Sequence, residues 1–581
     1  MKRLKLTILA KFPKIHSSLR PDPFARICIY SPAEDPYRYF VREAFEHLGL
    51  FCEFVEPGFE VKLKEIDALV LCGRGEIGVE AREALGQWVG RGGLLICVGQ
   101  TFGLEALLGV VPFESQPPAR GKLSPVAQGN DFWPEEAAPA RFFGGTHAVS
   151  KSADVLIQAE GEFVGLTRQQ VIKGLAFFFA PDLGQTLTQM QMGTSVEIDG
   201  IGPNDGSAIL SDGVLRSEDG SILSYEQDRT KLDEAIHPFF GDPHADTVKE
   251  ILMRVILMGT QRLGKIAVWK WFWQKGAQGQ AILAVDCTDF DPEQLYKRKQ
   301  IMDVSHVPAV WMVAQPGYGP DTYRMIRRWD DEIGLLFTPP SGPWSSEHMR
   351  SQYLSVHRTS GVADLLCSRP RDGRWKGHRD FYDLAEKAGS RVCLGKGGVQ
   401  AGTQGFLFGT CHPFFAPRSS GETGLCLEIP WAITRPGELC VTPVMHALFR
   451  QAALRYGCCV ATIPVNFDRD IGLKQVFLLA QQYQMNWTLP SKVYQYEKLR
   501  RQVTYHRKNK LVAEISSDQV VKDLCILVTG IGRELEVDGR AVSSTPATRF
   551  GVECTQFNLS LGQRGRVQLT LASAEHDEEA A

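Results

Sequence analysis

Apolar runs and amphipathic stretches alternate over the first part of the chain. "ARICIY" is typical of a buried strand, and in the stretch after it Phe40, Ala44 and Phe45 recur at helical spacing. The same alternation continues through "DALVLCG", "VEAREALGQWV" and "GLLICVG". Strands that alternate with helices predict a parallel sheet covered on both faces. We therefore expect an α/β domain over residues 25–264, preceded by an N-terminal arm over residues 1–24.

A second alternation follows, over residues 265–495. It includes "AILAVD", "AVWMVA", "EIGLLF", "RVCLG", "LCLEIPW" and "CCVATIPV", separated by segments of helical periodicity such as "VMHALFRQAALRYG". Six or seven strand–helix steps in about 225 residues predict a β/α barrel or a barrel-like domain. In such domains the chemistry collects at the carboxyl ends of the strands.

The pattern changes once more near residue 496. Short runs with period two, such as "LVAEIS", "LCILVTG" and "RVQLTLA", are separated by tight turns. They predict a small β-sandwich over residues 496–572. Residues 573–581 form an acidic tail.

Composition adds limits to this picture. The 581 residues carry a net charge of −3, with 44% hydrophobic and 23% charged residues. This near-neutral balance gives no electrostatic case for a nucleic-acid or anionic-membrane partner. No apolar run approaches the ~18 residues that cross a bilayer, so we expect no membrane span and a cytoplasmic protein. The 14 cysteines form no CxxC pair and fall in apolar runs, which indicates buried reduced thiols.

The stretch "LAVDCTDFDPEQLYKRKQI" carries the first candidate chemistry. Asp286, Asp289 and Asp291 end a predicted strand and precede a predicted helix. They form either the entrance to an active site or an acidic turn that caps the helix. The residues alone leave both interpretations open.

Other candidates follow later strands of the predicted barrel. "CSRPRDGRWKGHR" contains Arg369 and Arg371, and clustered guanidinium groups suit a carboxylated or phosphorylated sugar. The alternative is a solvated basic loop. His412 in "GTCHPFF" and Glu428 at the end of "LCLE" are further candidates for substrate binding. For His412 the alternative is a structural histidine.

Residues 282–487 resemble the polysaccharide deacetylase (NodB-homology) family. The resemblance rests on "AILAVDCTDFD", "VPAVWMVA" and "DDEIGLLFTPP". It implies that Asp286 is the catalytic general base and that Asp289, or Asp291, is the acidic residue of the site that binds zinc or a similar divalent metal. The chain departs from the family after Glu332-Ile333-Gly334, where leucine and phenylalanine replace the metal-binding histidines. The cofactor therefore stays unknown, and a metal site here would be degenerate.

The first unit resembles the class I glutamine amidotransferase-like fold, which is a flavodoxin-like sheet. In "LLICVGQTFGLEALLGV" Cys97 and Gly99 stand where that family has its nucleophile elbow. Leu95 occupies the position of a small residue, and the family's His-x-Glu pair is missing. A thiol without a base is a weak nucleophile at neutral pH. We expect this domain to be non-catalytic.

Together these features predict a deacetylase-type carbohydrate-active protein that hydrolyses acetyl groups from a sugar polymer or its precursor. The alternative is a catalytically inactive scaffold that binds a glycan or a protein in polysaccharide biosynthesis. The expected partners are a carbohydrate or polysaccharide precursor and other polysaccharide-biosynthesis proteins.

Overall fold

The computed structural model describes residues 23–113, 120–531 and 535–571. The acidic tail and residues 1–22 of the predicted arm lie outside these ranges. The described chain is a mixed α/β structure with several sheets, one of them curled into a half-barrel. None of its helices is both long and apolar enough to cross a bilayer.

The first unit is built on a nine-stranded sheet with the order β2-β1-β3-β4-β11-β10-β9-β6-β7. Its strands are β1 (Ile27–Tyr30), β2 (Glu53–Val55), β3 (Ala68–Cys72), β4 (Leu94–Val98), β5 (Val110–Pro112), β6 (Gly121–Pro125), β7 (Ala140–Phe142), β8 (Ala148–Ser150), β9 (Asp154–Ala159), β10 (Phe163–Val171) and β11 (Gly174–Phe179). Its helices are α1 (Arg38–Leu48), α2 (Val79–Gly90), α3 (Glu105–Leu108), α4 (Leu183–Leu187) and α5 (His244–Arg262). The predicted parallel core is confirmed from β2 to β11, and antiparallel strands extend it.

The central unit is a ten-stranded sheet with the order β18-β19-β17-β16-β15-β14-β13-β21-β20, in which β22 also pairs with β13. Its strands are β13 (Gly279–Cys287), β14 (Val310–Val313), β15 (Glu332–Phe337), β16 (Cys367–Pro370), β17 (Val392–Cys393), β18 (Phe414–Pro417), β19 (Thr423–Glu428), β20 (Ile433–Thr434), β21 (Cys458–Pro464) and β22 (Met485–Trp487). Its helices are α6 (Pro292–Asp303), α7 (Pro320–Arg328), α8 (Ser346–Ser360), α9 (Asp380–Ala388), α10 (Thr442–Leu454), α11 (Asp470–Gln482) and α12 (Pro490–Gln502). Only β18 pairs antiparallel within the described part of this sheet.

The last unit contains a four-stranded and a five-stranded antiparallel sheet. Its strands are β12 (Val268–Lys270), β23 (Thr504–Arg507), β24 (Val512–Ser517), β25 (Val521–Thr529), β26 (Leu535–Val537), β27 (Arg540–Ala541), β28 (Ser544–Arg549), β29 (Val552–Leu561) and β30 (Gly565–Leu571). The strand β12 comes from far earlier in the chain and pairs with β25. The side chains between the two sheets form one apolar cluster that includes Ile515, Ile526 and Leu569.

One long connection places the first unit over the half-barrel. Residues 193–240, which we call the covering segment, run from the first unit across the loops that follow β16 and β17. Val196 and Gly377 exchange backbone hydrogen bonds, and the backbone N–H of Trp375 donates to the carbonyl of Leu215. The Ser217 hydroxyl donates to the carbonyl of Gly397. The covering segment therefore lies on the carboxyl end of the central sheet.

Candidate functional site

Asp286 and Arg369 meet on the concave side of the central sheet. Asp286 lies near the end of β13 and Arg369 near the end of β16, three strands away. In a flat sheet these strands would lie about 14 Å apart. Yet Arg369 Nε lies 3.7 Å from Asp286 Oδ2. The curl of the sheet and the length of the arginine side chain together close this gap.

The Asp286–Arg369 pair has unused hydrogen-bonding capacity. Asp286 Oδ1 and the Nε and Nη1 atoms of Arg369 have no hydrogen-bond partner among the described residues. Burial raises the pKa of Asp286, and the nearby guanidinium of Arg369 counteracts the shift. The guanidinium stacks over the ring of Trp431 at 4.2 Å. The Asp286 side chain stays 20% exposed, so it is open to solvent on one side.

Two further ionisable side chains, those of Glu428 and Lys396, lie under the covering segment. Glu428 ends β19 and accepts hydrogen bonds from the backbone N–H groups of Gly395 and Lys396, both at 2.8 Å. The side chains of Glu428 and Lys396 are both fully buried. Burial raises the pKa of Glu428 to about 7 and lowers the pKa of Lys396 to about 7. Their charges attract each other, which partly opposes both shifts.

Aromatic rings surround Lys396. Its Nζ lies 4.3 Å from the ring centre of Trp375 and 4.7 Å from that of Phe408. It donates a hydrogen bond of 2.9 Å to the carbonyl of Met192, in the first unit. Lys396 therefore ties the first unit to the mouth of the half-barrel, which is the opening at the carboxyl ends of its strands. Neither spacing nor periodicity in the sequence marks Lys396, Trp375 and Trp431, because these residues meet their partners only through the fold.

Asp289 and Asp291 occupy the turn after β13 and do not join Asp286. Asp289 accepts a hydrogen bond from the N–H of Asp291. Asp291 is the N-cap of α6 and accepts from the N–H of Glu293 at 2.9 Å. Asp291 therefore acts as a helix cap, and Asp289 stabilises the turn that precedes it. Their predicted part in metal binding stays a prediction.

Arg371 follows Arg369 in the loop after β16, and its side chain is 42% exposed. It lies at the rim of the mouth, where Asp372 is its neighbour at 3.5 Å. Arg371 and Glu428, both predicted as substrate-binding residues, are therefore brought to the carboxyl end of the sheet with Asp286. Their binding roles stay predictions.

His412 lies at the opposite end of the half-barrel. The carbonyl of the preceding Cys411 accepts the N–H of Cys458, the first residue of β21, whereas Asp286 is level with Pro464 at the end of that strand. Six residues of strand separate the two levels by about 20 Å. The structure does not bring His412 together with Asp286, because the loop before β18 runs at the amino ends of the strands. The predicted part of His412 in substrate binding stays a prediction.

Cys97 is buried in the middle of the first unit. It lies in β4 and is fully inaccessible to solvent, and burial raises its pKa well above the ordinary thiol value. A protonated thiol inside a sheet is not a nucleophile. Cys97 is therefore not placed to act as a nucleophile, and the absence of catalysis in this domain stays a prediction.

Comparison with known proteins gives only distant likenesses. The chain matches no protein-family profile and no curated protein sequence. A β-galactosidase from Bacillus circulans sp. alkalophilus is 12% identical over 28% of this chain and 30% of its own, with a TM-score of 0.23. A cytoplasmic protein from Salmonella typhimurium is 14% identical over 28% of this chain and 92% of its own, with a TM-score of 0.24.

A mutant of a CE4 family pseudoenzyme with restored enzymatic activity is 14% identical over 37% of this chain and 67% of its own, with a TM-score of 0.24. The neighbours thus include a sugar-cleaving enzyme and a pseudoenzyme. This chain spans about 30% of the length of the β-galactosidase. At these TM-scores none of the likenesses assigns a fold or a function to this chain.

Proposed function

We propose that this chain is a catalytically inactive scaffold of deacetylase type, which binds a carboxylated or phosphorylated carbohydrate at the mouth of the central half-barrel. The observation that carries the proposal is the guanidinium of Arg369, whose buried Nε and Nη1 atoms have no hydrogen-bond partner in the described residues. Guanidinium groups form paired, charge-assisted hydrogen bonds with carboxylates and phosphates. Trp431, which is only 1% exposed, packs under the same side chain at 4.2 Å and holds the guanidinium in place.

The donor atoms at the mouth do not fit the zinc site of a deacetylase. Catalytic zinc takes three protein ligands, most often including histidine. Here Asp286 pairs with Arg369, and Asp291 caps α6. In the part of the chain that the structure describes, no cluster of three metal-binding residue types forms around Asp286. We therefore derive no reaction step through a metal at the mouth.

A second candidate function is hydrolysis of an acetyl group without a metal. It is favoured by the carboxyl group of Asp286, whose pKa is raised by burial and which keeps one face open to solvent. A carboxylate with a raised pKa is a better general base near neutral pH. Asp286 would then take the proton of the attacking water.

Binding to defined oligosaccharides tests the first candidate. Isothermal titration of the full chain should show binding to a uronic acid oligomer and weaker binding to a neutral oligomer of the same length. Arg369→Met should weaken binding about 10- to 100-fold, since it removes a charge-assisted hydrogen bond. Arg324→Met, on the outer helix α7, is the control and should bind like the unchanged chain. Equal binding by the Arg369 and Arg324 variants would refute the proposed site.

Acetate release separates the two candidates. An inactive scaffold releases no acetate from an N-acetylated or O-acetylated oligosaccharide, with or without added zinc. Acetate release that Asp286→Asn abolishes, in a variant that unfolds like the unchanged chain, would establish the hydrolase and overturn the scaffold.

A further inference from the structure

A cluster of metal-binding residue types is buried where the first unit packs against the central unit. Asp246, at the start of α5, and the neighbouring Cys411 and His412 each offer one ligand atom, and these three atoms lie within 4.8 Å of one another. The three residues are only 4%, 3% and 3% exposed. Among the residues that the structure describes, this is the only cluster of its kind. It is far from Asp286 and independent of the proposed function.

The ring of His412 is oriented as metal-binding histidines are. Its Nε2 lies 2.7 Å from the carbonyl oxygen of Arg455, so Nε2 carries the proton and donates it. Its Nδ1 is buried and has no hydrogen-bond partner in the described chain. A metal-binding histidine usually donates its second N–H to a carbonyl or a carboxylate in this way, which fixes the free nitrogen toward the ion.

A second histidine shows the same arrangement next to it. His47, near the end of α1, has its Nδ1 3.2 Å from a carboxylate oxygen of Glu497. Its Nε2 is buried and also lacks a partner among the described residues. The rings of His47 and His412 are 4.8 Å apart between centroids and 70° apart in plane. Two unpartnered ring nitrogens in one buried region need an explanation, because an unsatisfied buried polar atom costs about 1–3 kcal/mol.

We propose that Asp246, Cys411, His412 and His47 form a binding site for a transition metal of the zinc type, which joins the first unit to the central unit. One sulfur, two nitrogen and one oxygen donor suit a closed, four-coordinate structural site. Ligand atoms around a tetrahedral zinc lie about 3.5 Å apart. The ligand atoms of Asp246, Cys411 and His412, which lie within 4.8 Å of one another, therefore approach by up to about 1 Å on binding. His47 lies outside this group of three, so its ring has to move toward the ion to become the fourth ligand. The Cys411 thiol loses its proton to solvent as the metal–sulfur bond forms.

Lys249 is the cation that competes with the metal. Its Nζ lies 2.8 Å from Asp246 Oδ1, and the lysine is buried, at 4% exposure. In this arrangement the ammonium group balances the carboxylate. A metal ion therefore has to displace Lys249 from Asp246, and the lysine lowers the metal affinity. Removal of this competitor is expected to strengthen metal binding.

Metal titration of the full chain tests the site. With zinc, atomic emission after gel filtration should give about one ion per chain. With cobalt, the absorption spectrum should contain a sulfur-to-metal charge-transfer band. Cys411→Ser should abolish that band, and His412→Ala should weaken binding at least about tenfold. Cys440→Ser is the control, since Cys440 is a fully buried thiol of the same unit outside the cluster.

The variant Lys249→Met separates loss of metal binding from loss of folding, because it is expected to strengthen binding rather than to weaken it. It should bind zinc at least about tenfold more tightly than the unchanged chain, because a charged competitor is gone. Circular dichroism would show that each variant is folded. The proposal is overturned if the folded chain and the folded Lys249→Met variant both fail to bind zinc or cobalt at about 100 µM, a large excess over the dissociation constants of structural zinc sites. It is also overturned if Cys411→Ser and the unchanged chain bind equally.

Discussion

Arg501 holds two buried carboxylates between the first unit and α12. Its guanidinium lies 2.6 Å from Glu43 and 2.8 Å from Glu497. Arg501→Met leaves Glu43 without its cation. Removing one partner from a buried pair costs about 3–5 kcal/mol. We therefore expect the free energy of unfolding, measured by urea denaturation, to fall by that amount.

A control for Arg501 is available on the surface. Arg450 pairs with Glu136, and both side chains are close to half exposed. Exposed pairs contribute about 0–1 kcal/mol, so Arg450→Met should change stability by less than that. If Arg501→Met proved as mild as Arg450→Met, the buried network would not be part of what stabilises the contact between the units.

Glu218, on the covering segment, should make stability depend on pH. It is 2% exposed and accepts a hydrogen bond from the N–H of Val399 at 2.8 Å. Burial raises the pKa of Glu218 from 4.5 to about 7. Between these values the folded chain binds more protons than the unfolded chain, so stability falls as pH rises. The loss is at most about 3 kcal/mol and is complete above pH 7.

Glu218→Gln should reduce this loss, because the amide does not titrate. Urea denaturation at pH 5 and pH 8 measures it as a smaller difference in unfolding free energy than in the unchanged chain. Glu226→Gln, at an exposed position of the same segment, is the control and should keep the full difference. An unchanged pH difference in Glu218→Gln would mean that this carboxyl group is hydrated in the folded chain.

The sequence located part of the mouth because strand ends are visible in the hydrophobic pattern. Asp286 and Glu428 each end an apolar run, and the fold brings both to the carboxyl end of one sheet. The partners of these residues could not be predicted. Lys396 meets Glu428 only because of the fold, and the covering segment contributes Glu218 from a different unit. The sequence has no local signal for contacts between residues that are so far apart in the chain.

At the scale of elements, the acidic stretch before α6 contains carboxylates with different roles. Asp286 pairs with Arg369, whereas Asp291 caps the helix. Asp291 caps the helix through the N–H of Glu293, with Pro292 at the first helical position. Asp291→Ala should lower the free energy of unfolding by about 1 kcal/mol, the usual cost of losing such a cap. Asp291→Asn keeps a side-chain oxygen and should change stability little. Urea denaturation measures both variants, and equal losses would argue against the cap.

The strongly periodic elements were the predictable ones. α10 falls where "VMHALFRQAALRYG" predicts a helix, and β13 where "AILAVD" predicts a strand. The Pro-, Gly- and Ala-rich stretch over residues 116–139 has no hydrophobic periodicity and predicts a loop excursion. In its described part, however, β6 forms and pairs with β9. Its five residues, "GKLSP", contain one large apolar side chain, so hydrophobic periodicity gives no strand signal there. Backbone pairing in the sheet decides the conformation instead.

At the scale of the whole molecule, the tryptophans before β13 join the units. Trp271 is fully buried and contacts Tyr456 of the central unit and Phe550 of the β-sandwich, at ring distances of 4.6 and 5.9 Å. Trp273 donates its indole N–H to the carbonyl of Tyr456. The preceding strand β12 is the edge strand of the four-stranded sheet of the sandwich and pairs with β25. Residues 268–273 therefore contact both the central unit and the β-sandwich.

This arrangement predicts that the central unit and the β-sandwich unfold together. Scanning calorimetry of the unchanged chain should show them in one transition, since each unit supplies part of the pocket around Trp271. Trp271→Ala leaves a cavity that costs about 3–5 kcal/mol. Because that loss falls on the contact between the units, the transition should split in two, with the less stable unit melting at lower temperature. Val79→Ala, at an exposed position of α2, is the control and should leave the profile unchanged. If Trp271→Ala lowered the melting temperature without splitting the transition, the two units would share a core that extends well beyond this tryptophan.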